Sequence, residues 1–501
     1  MGAKAMSIER RTMLKGGAAV AGGAALGGPF QGLVAAPASA LGTSPAGLGA
    51  PAFRGLRPAP DERDGAVRLH VPEGFRYRSF HDTESPVTLD DGTALPGRHD
   101  GMAAFRNRHR GRVTLVRNHE VNNPGPAFGP VGDHTYDPMG RGGCTVVDVS
   151  LTGEVARSWT GLNGTMMNCS GGPMPWGTWM TCEETVNGPD VGPDFTGASN
   201  VPLTKPHGYV FEVPTKGRAS GEPITAAGRF AHESVAFDPR GGSLYLSEDN
   251  FAFPSGFYRY TPRKSPMRSG HLDNRGRLQM LKVKGTDNAH LEANQRRGAW
   301  YRVEWVDIDD PDPTYAYTPG QTAPTSNDTA INHVGDQGRA QGAAHFSRLE
   351  GTIYDQGVVY FTSTQGGGAA MTGPDSVGGY GKGFGQVWGY DTRREVLFLV
   401  YQSPGKETFD FPDNITVSPK GTLVVCEDSS ADNYVRGLSR RGQLWDIALN
   451  RVQSSRTGQP RYDDEFAGST FSPDGRTLFV NIQASAGMTF AIWGPWHRIG
   501  V

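Results

Sequence analysis

Acidic residues and one cysteine recur along the chain at two equivalent positions of a repeated segment. The first position lies just before or at the start of the segment's first predicted strand, and it is held by His99-Asp100, Cys169, Glu233, Glu350, Asp413-Asn414 and Glu465. The second position follows the second predicted strand, and it is held by Asn118-His119-Glu120, Glu183-Glu184, Glu248-Asp249, Thr364-Gln365, Glu427-Asp428 and Asn481 with Gln483. Carboxylate oxygens suit Ca²⁺, and one thiolate among them suits a transition metal such as iron or zinc.

The repeated segment has the pattern of a β-hairpin. Val235–Asn250, Ile415–Ser430 and Ser469–Ala484 each contain a strand pattern, a turn with Pro, Asp, Lys or Gly, and a second strand that ends in polar residues. β-Branched and aromatic residues alternate on both sides of the turn, which is the signal of a hairpin. Weaker copies lie at Asp100–Glu120, Ser170–Thr185 and Glu350–Gln365.

Further strand patterns lie between the hairpins and complete a larger repeat. They are Gly142–Leu151, Gly208–Pro214, Gly256–Pro262, Gly385–Asp391 and Gly442–Leu449. A four-stranded unit repeated six times predicts an all-β fold, a six-bladed β-propeller. A pair of β-sandwiches is the alternative, but it does not explain why one type of hairpin recurs at a nearly constant period.

The spacing of the hairpins also predicts the domain organisation. We expect residues 99–501 to form a propeller catalytic domain, with residues 41–98 as an N-terminal extension that packs on it. One interval between hairpins is about twice as long as the others. It holds a polar stretch, about residues 263–341, that is rich in Asn, Asp, Pro and Gly, and it predicts a loop-rich insertion.

In a propeller, the first strand of each blade lines the central channel, so equivalent positions on the blades converge around one axis. A hairpin also brings the start of its first strand close to the end of its second strand. Both sets of polar residues should therefore lie at the same mouth of the channel. About a dozen carboxylates at such close quarters could not stay ionised without cations, which predicts bound multivalent metal ions.

The N-terminus has the layout of an export signal. Arg10 and Arg11 precede a weakly apolar stretch rich in Gly and Ala, and Ala38-Ser39-Ala40 offers a cleavage site of small residues. The paired arginines favour the twin-arginine route, with residues 1–40 as the signal and a periplasmic or extracellular location for the mature protein. A disordered basic N-terminus is the alternative. No later segment approaches 18 uninterrupted apolar residues, so we expect no stable membrane anchor.

Composition narrows the function further. The chain of 501 residues has a formal net charge of −2 and no basic stripe, which makes nucleic acid an improbable partner. Four cysteines are present, and their neighbourhoods differ, so two disulfides are not predicted. Cys182 and Cys426 lie within apolar strand patterns and are interpreted as small core residues, whereas Cys169 lies in a Gly-rich turn and needs its own explanation.

The segment Asn168–Thr185 resembles the PhoX-type alkaline phosphatases, and its Cys-Ser-Gly-Gly-Pro-Met-Pro-Trp-Gly-Thr-Trp block is specific. Shorter matches follow the same order along most of the chain, at Arg117–Glu120, Gly228–Asp238, Leu246–Asn250, Arg348–Gly351, Phe411–Asn414 and Cys426–Asp428. The resemblance implies a six-bladed propeller, a cluster of two Fe³⁺ and three Ca²⁺ ions, and hydrolysis of phosphate monoesters with release of inorganic phosphate. No Gly-x-Ser-x-Gly nucleophile motif is present.

The resemblance also implies roles for individual residues. Cys169 would be the thiolate ligand of iron, Glu233 and Glu350 would be carboxylate ligands, and Arg348 would clamp the phosphate; these four are the expected catalytic residues. The further metal ligands that the resemblance implies are Glu120, Glu183, Glu184, Asp413, Glu427 and Asp428. A salt bridge at the surface is the alternative role for Arg348. The expected partners are small phosphate esters and the twin-arginine machinery, and we expect a monomer.

Two other functions fit parts of the pattern. A calcium-dependent propeller lactonase or esterase would need calcium without iron, and Cys169 would then be a bystander. A non-catalytic exported propeller could bind glycans or a protein through Trp176, Trp179 and Trp388, although packing in the core is the commoner role of such residues. Neither alternative explains both the recurring carboxylates and the position of Cys169.

Overall fold

Alternating apolar residues flank tight turns along the chain, and the computed structural model forms these segments into antiparallel strands. It describes residues 55–263, 272 and 274–501. The predicted export signal at residues 1–40 and the first part of the predicted extension lie outside the described residues. Within the described ranges the fold is all-β with one α-helix, and none of their helices has the length and apolar character needed to cross a membrane.

The strands follow one another in this order: β1 (Arg57–Pro60), β2 (Val67–Val71), β3 (Arg76–Phe80), β4 (His99–Arg106), β5 (Arg112–His119), β6 (Gly142–Ser150), β7 (Val155–Thr165), β8 (Asn168–Pro173), β9 (Thr178–Glu183), β10 (Val210–Pro214), β11 (His232–Asp238), β12 (Ser243–Glu248), β13 (Phe257–Pro262), β14 (Gly276–Val283), β15 (Trp300–Asp307), β16 (Leu349–Asp355), β17 (Val358–Ser363), β18 (Gln386–Asp391), β19 (Val396–Gln402), β20 (Pro412–Val417), β21 (Leu423–Glu427), β22 (Tyr434–Leu438), β23 (Leu444–Asn450), β24 (Glu465–Phe471), β25 (Thr477–Gln483) and β26 (Met488–Trp493). Helix α1 spans Asn327–Ala340, and short 3₁₀ turns span Thr225–Ala227 and Trp496–Ile499.

The sheets have a propeller-like arrangement around six inner strands. Each of β4, β8, β11, β16, β20 and β24 contacts the next in this order, and β24 contacts β4, so the inner strands form a closed ring. Each inner strand pairs with the following strand as an antiparallel hairpin, and the sheets extend outward from these hairpins. Equivalent positions at the starts of the inner strands therefore converge, as the hairpin repeat predicted.

Hydrogen bonding divides the described strands into five sheets rather than six separate four-stranded units. One sheet has nine strands, because β15 pairs with β14 on one side and with β19 on the other. The pairing with β19 joins Trp300–Arg302 to Val396–Phe398. The strand β15 belongs to the stretch that the sequence predicted to be a loop-rich insertion, so this bridge between two sheets was not expected.

The same stretch contains β14 and helix α1 in addition to β15. Strand β14 places Leu278 and Met280 in the core beside β13, which completes a four-stranded unit. Ser326 caps α1, because its side-chain oxygen accepts a hydrogen bond from the backbone N–H of Thr329. The polar composition concealed these elements because the helix and β15 are only partly buried.

N-terminal strands complete two of the sheets. Strand β3 pairs with β26 as the outer strand of the last sheet, and β2 pairs with β23 and carries β1 beside it. Leu69 and Tyr77 from these strands pack in one core cluster with Val424 and Phe490. The ends of the described chain are therefore held together by backbone pairing and by apolar burial.

The aromatic and cysteine side chains mostly belong to the cores between sheets. Trp388 is fully buried and Trp179 nearly so, while Trp176 is half-buried and packs edge-on against Phe237. This packing occupies the tryptophans that a glycan-binding platform would need to expose. All four cysteines are free and buried, and Cys182 and Cys426 belong to apolar clusters.

Candidate metal centre

Five of the six hairpins carry the first predicted ligand position at a β-bulge, and a bulge of this kind recurs in every inner strand. In each hairpin the inner strand gains one residue relative to its partner, between His99 and Met102, Asn168 and Gly171, His232 and Val235, Leu349 and Thr352, Pro412 and Ile415, and Ala467 and Thr470. A bulge interrupts the alternation of side chains and redirects one of them. The first residues of the six bulges are Asp100, Cys169, Glu233, Glu350, Asp413 and Gly468.

The sixth bulge differs from the other five, because Gly468 stands where the others have an acid or a thiol. A Cβ atom at Gly468 would lie 2.3 Å from the backbone oxygen of Asp100, so a side chain does not fit there. Gly468 also has a positive φ of 60°. The acid of this hairpin is Glu465, which lies three residues before Gly468. Glu465 pairs directly with Gln483 on the neighbouring strand. The sequence pattern treated Glu465 as the equivalent of the other bulge residues, and the register corrects that assignment.

Nine side chains from these positions form one continuous acidic ring. It consists of four groups whose ligand atoms lie within 4.8 Å of one another: Asp100 with Glu120 and Cys169; Cys169 with Glu184 and Glu233; Glu233 with Glu350 and Asp413; and Asp413 with Asp428 and Glu465. Cys169, Glu233 and Asp413 each belong to two groups and connect them. Of the nine ligands that the resemblance implied, seven lie in this ring, and Asp100 and Glu465 join them.

The other two predicted ligands, Glu183 and Glu427, belong to none of these groups in the part of the chain that the structure describes. Successive side chains of a strand point to opposite sides, so in each acidic pair only one member faces the ring. Glu183 turns outward and accepts hydrogen bonds from His207 Nδ1 at 2.6 Å and from the backbone N–H of Gly208 at 2.8 Å.

Glu427 and Glu248 have the same outward orientation as Glu183. Glu427 accepts a hydrogen bond from Arg436 Nε at 3.0 Å and from the backbone N–H of Asp410 at 3.1 Å. Glu248 accepts from Tyr258 Oη and from the backbone N–H of Gly256, both at 2.8 Å. These three carboxylates hold the neighbouring loop and strand in place, whereas the acids that follow them face the channel mouth.

The acidic ring has too little positive charge within the protein to keep all of its carboxylates ionised. Burial raises the pKa of Glu233 well above its ordinary value, and the nearby charges of Glu350, Asp413 and Asp100 raise it further. Burial likewise raises the pKa of Asp100, with Glu120 adding to the effect, and that of Asp413, with Glu465 adding to it. Bound cations would reverse these shifts, because they favour the ionised forms.

Two buried groups of the ring specifically fit a metal ion. Both carboxylate oxygens of Glu233 are buried and have no hydrogen-bond partner among the described residues, an arrangement that costs free energy unless a cation binds there. Cys169 Sγ lies 3.3 Å from Asp100 Oδ2, and burial followed by the charges of Asp100 and Glu233 raises the pKa of the thiol. A thiolate among carboxylates suits a transition metal better than calcium alone.

Arg348 provides positive charge at one side of the ring and is buried rather than exposed. Its Nε and Nη2 donate to the two carboxylate oxygens of Asp249 at 3.2 and 2.9 Å, and Nη2 also lies 3.0 Å from Glu350 Oε1. Burial lowers the pKa of Arg348, but Asp249 and Glu350 outweigh burial and raise it. Its Nη1 is buried without a hydrogen-bond partner, so one donor pair of the guanidinium is available to a ligand.

Two residues that the sequence placed at the second polar position, Asn118 and Gln483, were not among the predicted ligands and support the ring through hydrogen bonds. Gln483 Nε2 donates to Asp100 Oδ2 and to Glu120 Oε2, both at 2.7 Å, and so links two ring members. Asn118 Nδ2 donates to the backbone oxygens of Cys169 and Ser170 at 3.0 and 2.7 Å. Both residues stand at the ends of second strands, so their positions in the repeat were a signal, but their amide groups did not mark them as ligands.

The chain is similar to known proteins in sequence and in fold. A family model described as Alkaline phosphatase PhoX matches residues 54–486. Among solved structures, PhoX of Pseudomonas fluorescens in complex with vanadate, a transition-state analogue, matches with 16% identity and a TM-score of 0.59, and the match covers 89% of this chain and 98% of that one. This likeness shows a shared fold.

Two further structures match less well. A gluconolactonase from Xanthomonas campestris has 11% identity and a TM-score of 0.37, with 88% of this chain and 98% of that chain covered. Regucalcin, a calcium-binding protein from Agrobacterium tumefaciens, has 10% identity and a TM-score of 0.34, with 82% and 95% covered. Neither score supports an argument about this chain. Comparison with curated protein sequences gave no significant match.

Proposed function

Since the chain belongs to the alkaline phosphatase PhoX family, we propose that it hydrolyses phosphate monoesters at a metal cluster held by the acidic ring. The match over residues 54–486 confirms the predicted family and, with it, the predicted phosphatase activity. The main support for the proposed cluster comes from Glu233, which belongs to two ligand groups. Its two buried carboxylate oxygens have no hydrogen-bond partner among the described residues.

We also propose that the fold is a six-bladed propeller. The closed ring of six inner strands supports this count, because each inner strand begins one hairpin. On this interpretation the nine-stranded sheet comprises two blades joined at their outer edges by β15. The channel mouth would then collect one bulge from every blade.

The ring residues would hold two Fe³⁺ and three Ca²⁺ ions, the set that the family resemblance implies. Cys169 is the ligand that favours iron, and the hard carboxylate oxygens of the ring suit both Fe³⁺ and Ca²⁺. When bound, such ions neutralise charge on a phosphoryl group and lower the pKa of water. Cys169 belongs to two of the four ligand groups, which supports the mixed cluster over a calcium-only lactonase site.

Arg348 would bind the phosphoryl group through its free Nη1. Asp249 holds the other edge of the guanidinium with two hydrogen bonds, so the plane of the fork is fixed before substrate arrives. Phe251 lies with its ring centre 5.7 Å from the guanidinium carbon and shields one face from water. A fixed donor of this kind stabilises charge on phosphoryl oxygens without needing to reorganise.

The proposal is tested by hydrolysis of a chromogenic phosphate monoester with and without a calcium chelator, together with elemental analysis for iron and calcium. We expect chelator-sensitive hydrolysis and both metals in the purified protein. Hydrolysis that persists in a protein without metals would overturn the metal centre but not the family. Calcium without iron and without phosphatase activity would favour the lactonase alternative.

Export remains a proposal that rests on the sequence. Arg10, Arg11 and the cleavage pattern at Ala38-Ser39-Ala40 support twin-arginine export to the periplasm or the extracellular medium, and they lie outside the described residues. Replacing Arg10 and Arg11 together by Lys should retain the protein in the cytoplasm. Cell fractionation measures this, and unchanged export of the double variant would contradict the proposal.

A further inference from the structure

A largely apolar cavity of about 460 Å³ includes Phe251, a neighbour of Arg348, in its lining and has no role in the chemistry described above. Its apolar walls come from four separate regions, namely the loop after β9, the loop after β12, helix α1 and the loop after β17. The lining side chains that matter here are Phe195, Phe251, Phe253, Ile331 and Val377. The side chain of Val377 is 66% exposed at the rim, although it is apolar. An apolar surface left open beside a polar site is typical of a place where a ligand binds.

Phe251 links the cavity to the proposed phosphate site. This residue lines the cavity and also lies 5.7 Å from the guanidinium of Arg348. Asn250, which precedes it, is a lining residue too, and Asp249 before that holds Arg348. A phosphoryl group at the free Nη1 of Arg348 would therefore have the cavity within reach of its ester substituent.

The opposite wall is connected to the acidic ring by a short chain of contacts. The loop after β9 begins with Glu184, a member of the ring, and continues to Asn187. Asn187 Nδ2 donates to Asp194 Oδ2 at 2.9 Å, and Asp194 and Phe195 line the cavity. The loop after β9 therefore runs from the ring member Glu184 to the cavity, and the loop after β12 runs to it from Asp249, the partner of Arg348.

Backbone hydrogen bonds fix the walls to each other. The N–H of Gly192 donates to the carbonyl of Thr325 at 2.8 Å, just before α1 begins. The N–H of Tyr380 donates to the carbonyl of Phe251 at 2.7 Å, which ties the segment of Val377 to the loop after β12. A cavity held in this way is largely formed before a ligand enters, which lowers the entropic cost of binding.

The lining chemistry selects the type of substituent. Within the described chain, the lining has no lysine or arginine, and its charged side chains are Asp194 and Asp328. A second phosphate or a carboxylate on the substrate would be repelled there. An aromatic ring or a short alkyl chain would instead replace water against phenylalanine, isoleucine and valine side chains.

We propose that this cavity binds the alcohol portion of the substrate and makes the enzyme selective for phosphate monoesters of apolar, uncharged alcohols. The inference rests on the proposed function, because it requires hydrolysis at the acidic ring with Arg348 on the phosphoryl group. Phe195, Phe253 and Ile331 determine the specificity, and Phe251 connects the cavity to Arg348.

The test compares n-hexyl phosphate with ethyl phosphate as substrates of the metal-loaded, full-length mature protein. The two leaving alcohols have similar acidity, so the ratio of their kcat/KM values reports the contact with the alkyl chain and not the ease of bond cleavage. We expect a ratio of about tenfold or more in favour of the hexyl ester, since each buried methylene contributes several-fold. A ratio near one would overturn the inference.

Phe195→Ala and Ile331→Ser should lower this ratio about fivefold or more while leaving kcat/KM for ethyl phosphate within about twofold of the parent protein. Trp300→Ala is the matched control, because Trp300 is 59% exposed on β15 and does not line the cavity. Equal losses for both esters would contradict a role in specificity. If one variant fails to fold by circular dichroism, the other decides the question.

The outcomes separate failure of this inference from failure of the proposed function. Hydrolysis of neither ester by a protein that contains its metals would overturn the proposed function, and with it this inference. Hydrolysis of both esters at equal rates would overturn the alcohol site alone. A hexyl preference that both cavity variants retain would also overturn it, because the preference would then arise elsewhere.

Discussion

Two groups of buried acids lie side by side at the channel mouth, and they have opposite electrostatic properties. In the acidic ring, burial and like charges raise the pKa values of Asp100, Glu233 and Asp413. Immediately outside it, His207 lies between Glu183 and Asp137, and the pKa of Asp137 is lowered to about 2. The residue types are similar, but a buried histidine lies between the two acids of the second group, whereas the nine members of the ring share Arg348 and Arg98 at its periphery.

This difference explains why adjacent glutamates in the sequence have different tasks. Glu183 ends β9 and is hydrogen-bonded to His207, whereas Glu184 follows it and shares a ligand group with Cys169 and Glu233. The outer group pairs its charges within the protein, so removing one of its acids would leave a buried charge poorly compensated. The inner group has more acidic side chains than Arg348 and Arg98 can neutralise, and its ligand atoms lie close enough together to hold metal ions.

The largest expected effect comes from Glu233→Gln, which removes one charge from the ring without changing its shape. We expect kcat/KM for a phosphate monoester to fall about 1,000-fold or more and the metal content to fall with it. The melting temperature of the chelator-treated variant should rise above that of the chelator-treated parent, because like charges are relieved. Elemental analysis measures the metal content, and thermal unfolding measures the melting temperature. Unchanged metal content and activity would contradict the contrast between the acidic ring and the outer group.

Glu183→Gln should act in the opposite way on stability. It leaves His207 with one carboxylate in place of two, and breaking a buried ion pair costs about 4 kcal/mol of the free energy of unfolding. We expect this loss with and without chelator, measured by denaturant unfolding. Glu212→Gln, which changes a partly buried acid on the neighbouring strand β10, is the control. Stabilisation of the metal-free protein by Glu183→Gln would place Glu183 functionally in the ring.

Arg348→Lys tests the cation that pairs with Asp249 and with the ring member Glu350. Lysine keeps the charge near Asp249 and Glu350 but cannot offer the planar fork, so kcat/KM should fall about 100-fold with metal content retained. A raised KM or Ki for inorganic phosphate should accompany the loss. If the variant instead loses its metals and its activity together, Arg348 organises the ring and does not bind the phosphoryl group.

The smallest effect is a pH dependence of stability that originates at His207. Burial lowers its pKa, but Glu183 and Asp137 outweigh burial and raise it from 6.5 to about 9. Because the folded pKa is the higher one, the stabilisation is complete below about pH 6.5 and is lost as the pH rises through 9. We expect the free energy of unfolding of the parent protein to fall by about 2 kcal/mol over this window, and that of His207→Gln to fall by less. Identical pH profiles for parent and variant would contradict the charged state of His207.

The sequence predicted the parts of the site that depend on the repeat. Alternation and turn residues identified the six hairpins, and the acids at their ends identified the positions that converge. Asp100, Cys169, Glu233, Glu350 and Asp413 could be placed in this way because each stands at the same point of its hairpin. These positions converge because the inner strands form a closed ring, and this does not depend on which side chains the strands carry.

Orientation could not be predicted from the same pattern. Glu427 and Asp428 are adjacent acids, and only the phase of β21 at its end decides which of them faces the ring. The register of β24 likewise decides that Gly468, not Glu465, is the bulge residue of the last hairpin. A shift of the strand register by one residue moves every side chain of the strand to the opposite face, and the composition of the strand does not reveal its register.

The sequence by itself thus determined the hairpins, the family and the set of acids near the channel mouth, because these follow from local periodicity and from a specific motif. Only the tertiary structure decided which acids share a site, that β15 joins two sheets, and that Phe195, Phe251 and Ile331 enclose one cavity. These residues lie far apart in the chain, and their contacts arise from packing between elements, which leaves no periodic trace in the sequence.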